Sequence, residues 1–372
     1  MLSAVETPPN RGSDTHARVP LRPAVQALPP YVPGARPTPG EQLWKLSSNE
    51  NPYGPLPSVI DAITRAATET NRYPDMYATE LVEALASFVG VAPEQVVVGN
   101  GSVAVLAHLL SAVVDPGRDE VVFPWRSFEA YPIAVAVAGG RAVTVPLAEG
   151  GRLDLPAMAA AVTDRTSVVL VCTPNNPTGP VVHADELDAL LAAVPSDVMV
   201  VIDEAYLEFV RDADAPDALA LLARHENVVL LRTLSKAYGL AGLRVGYALA
   251  APHLAAGIRA VSTPFGVSHV AQAAALASLA PAAQAELMQR VDALVAERTR
   301  VLDALVAQGW DLPASQANFV WLPLGERTTR CAAEARAAGV LVRPFAGDGL
   351  RVSIGETEAN DAFLEVARGW IA

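Results

Sequence analysis

The sequence predicts an α/β protein, with a mostly parallel sheet flanked by helices and a smaller α+β domain after it. Three observations carry this. Short, continuous, β-branched runs recur between residues 95 and 250, as strands buried on both faces require. Helical patterns lie between several of them. Beyond about residue 266 the texture changes to long helical patterns followed by short strands.

In chain order, residues 1–18 read as disordered and 19–44 as an extended arm, because a stretch so rich in proline cannot build a core. PSVIDAITRAATE and ATELVEALASFVG read as helices. The strand candidates are 95–99, 119–124, 141–147, 167–172, 197–203, 227–233 and 244–250, with GSVAVLAHLLSAVV and ADELDALLAAV as helices among them. These belong to a large domain over 45–265. A small domain over 266–372 holds the helical HVAQAAALASL and AELMQRVDALVAERTRVLDALVAQG, then the strands ANFVWLPL, GVLVRPF and GLRVSIG.

A chain of 372 residues, 51% apolar, can bury two cores. Its formal net charge of -13 argues against nucleic acid and anionic membranes as partners. Cys172 and Cys331 stand far apart with no metal-ligand spacing, which argues against a zinc site or a disulfide framework and for buried thiols. The N-terminus lacks a basic start followed by an apolar run, and AAALASLAPAA is short and broken by Pro281. The expected location is the cytoplasm.

The chemistry gathers at predicted strand ends, where open α/β sheets bind ligands. Strand 95–99 runs into Gly99-Asn100-Gly101-Ser102 and a helix, a phosphate site or simply a turn. Strand 167–172 ends in TPNNPTG, either a rigid structural loop or a pair of placed amides. Strand 197–203 ends in Asp203-Glu204-Ala205-Tyr206. A partly buried Asp203 needs a cation, which a protonated pyridine nitrogen or an ordinary salt bridge would supply. Strand 227–233 runs into Lys236, bracketed by Ser235 and Arg244. A phosphate cradle, an amide, a carboxylate, a lysine and an arginine at neighbouring strand ends together point to pyridoxal 5'-phosphate (PLP).

From Tyr31 to near the C-terminus, SSNENPYGP, NRYPD, TPNNPTG, VIDEAY, RTLSKAYGLAGLRVGY, SQANFVWL and VRPF with GLRVSIG resemble the class I/II aminotransferases. The branch is that of histidinol-phosphate and actinobacterial aromatic amino acid aminotransferases. The resemblance implies the PLP-dependent transferase fold type I and a homodimer. It implies that Lys236 carries the cofactor as a Schiff base and shuttles a proton. It implies that Asp203 pairs with the ring nitrogen, Asn176 and Tyr206 bond the ring O3', and Phe128 lies against the ring. Gly101, Ser102, Thr233, Ser235 and Arg244 would hold the phosphate, with Tyr73 from the other subunit. Arg351 would clamp the substrate α-carboxylate, and Asn49 would line the pocket.

Phe265 stands where histidinol-phosphate enzymes carry tyrosine, and phenylalanine cannot donate to a phosphate. Together with WRSFEAYP it favours transamination of phenylalanine or tyrosine with 2-oxoglutarate. Tyr31 and Arg343 keep histidinol phosphate as the alternative, since Arg343 suits either a phosphate or a distal carboxylate. Two more remote alternatives are a decarboxylase of the same fold and a PLP-binding module fused to a DNA reader.

Overall fold

The computed structural model describes residues 19–28 and 43–371. The expectations for residues 1–18 and for most of the arm, Tyr31 included, lie outside the described residues.

The strands in chain order are β1 (Trp44–Lys45), β2 (Val96–Gly99), β3 (Glu120–Trp125), β4 (Arg141–Pro146), β5 (Thr166–Cys172), β6 (Met199–Asp203), β7 (Val228–Thr233), β8 (Gly246–Leu249), β9 (Phe319–Leu322), β10 (Val340–Leu341), β11 (Arg343–Phe345) and β12 (Gly349–Ser353). Seven of them form one sheet in the order β2-β8-β7-β6-β5-β3-β4. Only β8 runs against its neighbours, β2 and β7; the remaining pairs are parallel.

Alternation along the strands builds a core on each face. In β6, Val200 and Ile202 join one apolar cluster, while Met199 and Val201 join the other. β7 divides in the same way, with Val228 and Leu230 opposite Val229 and Leu231. A period of two with both faces apolar produces the unbroken hydrophobic runs of the sequence. It also aims Asp203 at the face of Met199 and Val201, where Phe123 and Tyr131 lie.

Strand 244–250 starts later than its apolar run suggests. Arg244 adopts a left-handed backbone (φ +59°) and turns the chain before β8 begins. GVLVRPF, read as one strand, serves two sheets. Val340 and Leu341 pair in parallel with Trp44 and Lys45, whereas Arg343–Phe345 pairs antiparallel with β12, which in turn pairs with β9. Within the arm, read as extended, Pro23–Gln26 forms one helical turn; Pro23 at its first position has a helical φ already set. Arg22 ties this turn to the helix Ala130–Ala138 through the Val137 carbonyl at 2.7 Å.

The helix His269–Leu279 packs on Pro57–Ala67 and Thr79–Val89. Pro281 ends that path and opens the helix Pro281–Gln308. No helix of the described residues is long and apolar enough to cross a membrane.

Candidate active site

A cavity of about 260 Å³ opens at the carboxyl ends of β5, β6 and β7, and the β11–β12 hairpin contributes to its wall. Ser47, Ser48, Ser102, Phe128, Glu129, Cys172, Asn176, Asp203, Tyr206, Thr233, Ser235, Lys236, Arg244, Arg343 and Arg351 all border it. Most of the residues singled out in the sequence therefore meet in one place.

Lys236 follows β7, and its Nζ donates to the Ser48 carbonyl at 3.3 Å. Burial, aided by the nearby Arg351 charge, pushes its ammonium down to about 7. A large share is then the neutral, nucleophilic amine at neutral pH. Asn51 holds the lysine loop by donating to the Ala237 carbonyl at 2.8 Å.

Asp203 is buried at the end of β6. Tyr131 donates its hydroxyl to Oδ2 at 2.8 Å, and Oδ1 has no hydrogen-bond partner among the described residues. Burial pushes the carboxyl up to about 6, against the lowering effect of the Tyr131 hydroxyl. Cys172 lies beside this pair, and burial pushes its thiol up to about 12, so it stays protonated.

The two amides after β5 divide their tasks. Asn175 accepts from Ser127 Oγ at 2.8 Å and donates to Thr178 Oγ1 at 2.7 Å, which fixes the loop. Asn176 faces the cavity and accepts from Arg351 Nη1 at 2.6 Å. Arg351 also donates to the Ser47 carbonyl at 2.9 Å. Tyr206 packs edge-on against Phe319, and burial raises its phenol.

At the other end of the cavity, the helix Ser102–Val113 presents its N-terminus, whose first amides have no partner within the helix. Thr233 and Ser235 share a hydrogen bond of 3.0 Å, and Arg244 Nη1 donates to Ser235 Oγ at 3.3 Å. Gly101 has φ +82°, and a Cβ there would collide with the Arg244 guanidinium. Gly246 is needed for a different reason, because a Cβ would strike the Ser102 amide.

Residues 41–366 match the family described as Aminotransferase class I and II. The chain belongs to the class I and II aminotransferases. It is 55% identical to the aromatic amino acid aminotransferase of Streptomyces coelicolor over 348 residues, covering 93% of this chain and 96% of that one. Identity to the aromatic amino acid aminotransferase of Thermobifida fusca is 54%, covering 94% of this chain and 96% of that one. Among solved structures, the histidinol-phosphate aminotransferase from Sinorhizobium meliloti in complex with pyridoxal-5'-phosphate is similar with a TM-score of 0.85 at 31% identity, covering 96% of this chain and 100% of that one.

Class I and II aminotransferases depend on PLP, and the residues present fit it. The half-satisfied Asp203 carboxylate suits a cationic ring nitrogen, and the helix N-terminus with Ser235 and Arg244 suits a phosphate.

Some expected residues sit elsewhere. Asn49 is fully buried behind Tyr206, donating to its hydroxyl at 2.9 Å, and does not border the cavity. Tyr73 (84% exposed) and Phe265 (40% exposed) stack on each other outside it, with ring centroids 4.8 Å apart. Sequence reasoning missed Tyr131, Glu129 and Phe345. Tyr131 follows Phe128 by three residues at a helix start, where its amide donates to the Phe128 carbonyl at 2.9 Å, a contact that leaves no mark in the sequence.

The unpaired Asp203 oxygen predicts how the cofactor-free protein responds to Asp203→Asn. A carboxyl raised from 3.8 to about 6 by folding costs stability as pH rises through that window, and the cost is full above it. The variant should therefore gain on the unmodified protein by about 1 kcal/mol between about pH 5 and about pH 8. Urea unfolding at both pH values measures the gap; a gap independent of pH would show that Asp203 bears no buried charge.

Proposed function

We propose that this aminotransferase moves the amino group of phenylalanine or tyrosine to 2-oxoglutarate, giving the aromatic 2-oxo acid and L-glutamate. The names of the relatives from Streptomyces coelicolor and Thermobifida fusca support it. The observation that carries it is the Arg343–Glu129 ion pair at 2.6 Å, which leaves the cavity wall neutralised where a substrate side chain would lie. Phe128 adds an apolar surface.

The bound cofactor supplies an electron sink for the charge left when the substrate Cα loses its proton. Lys236 would hold the cofactor through its amine and, as the free amine, would be the base that moves that proton. Asp203 would hold a proton on the ring nitrogen, with Tyr131 orienting its carboxylate. Asn176 and Tyr206 would donate to the ring oxygen O3', and Phe128 would offer the ring an apolar surface. Gly101, Ser102, Thr233, Ser235 and Arg244 would hold the phosphate. Arg351 grips the substrate α-carboxylate in a two-pronged contact. We assign Arg343 to the distal carboxylate of 2-oxoglutarate, and Asn49 to holding Tyr206.

We further infer a cytoplasmic homodimer. Tyr73 and Phe265 lie outside their own cavity, and a second copy could bring them to the neighbouring site. The second reading, histidinol phosphate, is favoured by the likeness to the Sinorhizobium meliloti enzyme. Phe265 lacks the phenol that would hold its phosphate, a bond worth about 1.5–3 kcal/mol.

Lys236→Ala should abolish both transamination and the absorbance of lysine-bound cofactor while leaving circular dichroism unchanged; measurable turnover would refute the assignment. Arg351→Lys should raise KM for every amino acid alike, because a lysine loses the two-pronged contact. An effect confined to one substrate would make Arg351 a side-chain selector. Finally, kcat/KM with 2-oxoglutarate should be higher for phenylalanine and tyrosine than for histidinol phosphate, and the reverse order would install the second reading.

A further inference from the structure

We propose that Glu129 is a specificity-determining residue: it occupies Arg343 when the substrate brings an apolar side chain and yields Arg343 to a substrate that brings its own distal carboxylate. The inference rests on the reading that aromatic amino acids and 2-oxoglutarate share this cavity.

Three observations carry it. The first is burial. The Arg343 side chain is 6% exposed, and Glu129, at 30%, is the member nearer to solvent. A guanidinium buried that deeply is costly without an anion beside it. Facing a benzene ring, Arg343 would be such a charge, and Glu129 Oε2 at 2.6 Å supplies the anion. A five-carbon dicarboxylate supplies one itself, so the same position then has one carboxylate too many.

The second is anchoring. Arg343 belongs to β11, pairs across the hairpin with Arg351, and lies over the Phe345 ring at 5.5 Å. Glu129 is the residue before the helix Ala130–Ala138, and its side chain does not cap that helix. Of the two partners, Glu129 is the one with freedom to swing outward.

The third is a second tie between the same two segments. Arg126 Nε donates to Asp348 Oδ2 at 2.7 Å, and its guanidinium lies over Trp125 at 4.6 Å and over Phe345 at 5.6 Å. This pair joins the loop after β3 to the β11–β12 turn independently of Glu129. Opening the Glu129–Arg343 contact therefore requires one side chain to turn, not the two segments to part. WRSFEAYP thus contains a fixed tie at Arg126 and an exchangeable one at Glu129.

The test uses the cofactor-loaded enzyme and two unreactive probes, glutarate and 3-phenylpropionate, with Kd measured by calorimetry. Glu129→Gln should bind glutarate about tenfold more tightly and 3-phenylpropionate about tenfold more weakly, the scale of one charge-assisted contact. Glu129→Asp keeps the charge and should fall between the two. In an Arg343→Ala background, Glu129→Gln should change neither Kd, because the effect acts through Arg343. Equal changes for both probes, or a Glu129→Gln effect that survives Arg343→Ala, would overturn the proposal and leave the aromatic reading standing. Preference of the unmodified enzyme for histidinol phosphate over phenylalanine would remove the aromatic reading, and the glutarate arm would still decide the role of Glu129.

Discussion

A carboxylate at the end of a central parallel strand is the constraint on which this site depends. Asp203 lies on the face of the sheet that carries Met199 and Val201, among apolar side chains, so water solvates it poorly. The fold answers part of its need, through the Tyr131 hydroxyl, the Ala205 backbone and the nearby Lys236. The other oxygen keeps its demand for a cation. Tyr131 also packs edge-on against Phe128 at 5.6 Å and Phe123 at 5.9 Å, so the residue that orients the carboxylate is itself held by the cavity wall. A cationic group bound in the cavity would satisfy that charge.

Much of this was legible in the sequence for a physical reason. Strands buried on both faces leave unbroken apolar runs, and polar residues that end such runs must lie at the sheet's edge. Asp203, Lys236 and Asn176 could be read in that way. Tyr131 and Glu129 could not, because they sit at the start of a helix whose apolar composition resembles an ordinary core element. Their roles come from contacts 72 and 214 residues away along the chain. Asn49 shows the opposite limit. Its motif put it in the lining of the substrate pocket, but its left-handed backbone (φ +51°) and its bonds to Ser353 turn the side chain behind Tyr206.

Phe345 illustrates a device that periodicity cannot reveal. Arg126, Arg343 and Arg351 each lie between 5.5 and 5.7 Å from its ring centre, and Trp321 meets it edge-on at 5.5 Å. The ring faces attract cations while offering no anion to neutralise them. Arginines can therefore be gathered at one wall, with Arg343 paired to Glu129 and Arg126 to Asp348 at the edge nearer to solvent.

The whole chain carries a formal charge of -13, yet among the described residues Lys236, Arg244, Arg343 and Arg351 face the cavity against Glu129 and Asp203. The two facts belong together. An acidic exterior repels anions at long range, but salt screens that repulsion within about 8–10 Å. Inside the cavity the nearer cations dominate, because low-dielectric walls screen them less. In the reading proposed above, each anion that the chemistry brings would have a matched partner there: a phosphate at the helix N-terminus with Arg244, and an α-carboxylate at Arg351. A third cation would serve only a substrate with a second carboxylate and would hinder one with a ring. Placing Glu129 beside Arg343 makes that third charge conditional, so one cavity can serve both halves of a transamination without carrying an unmatched charge in either.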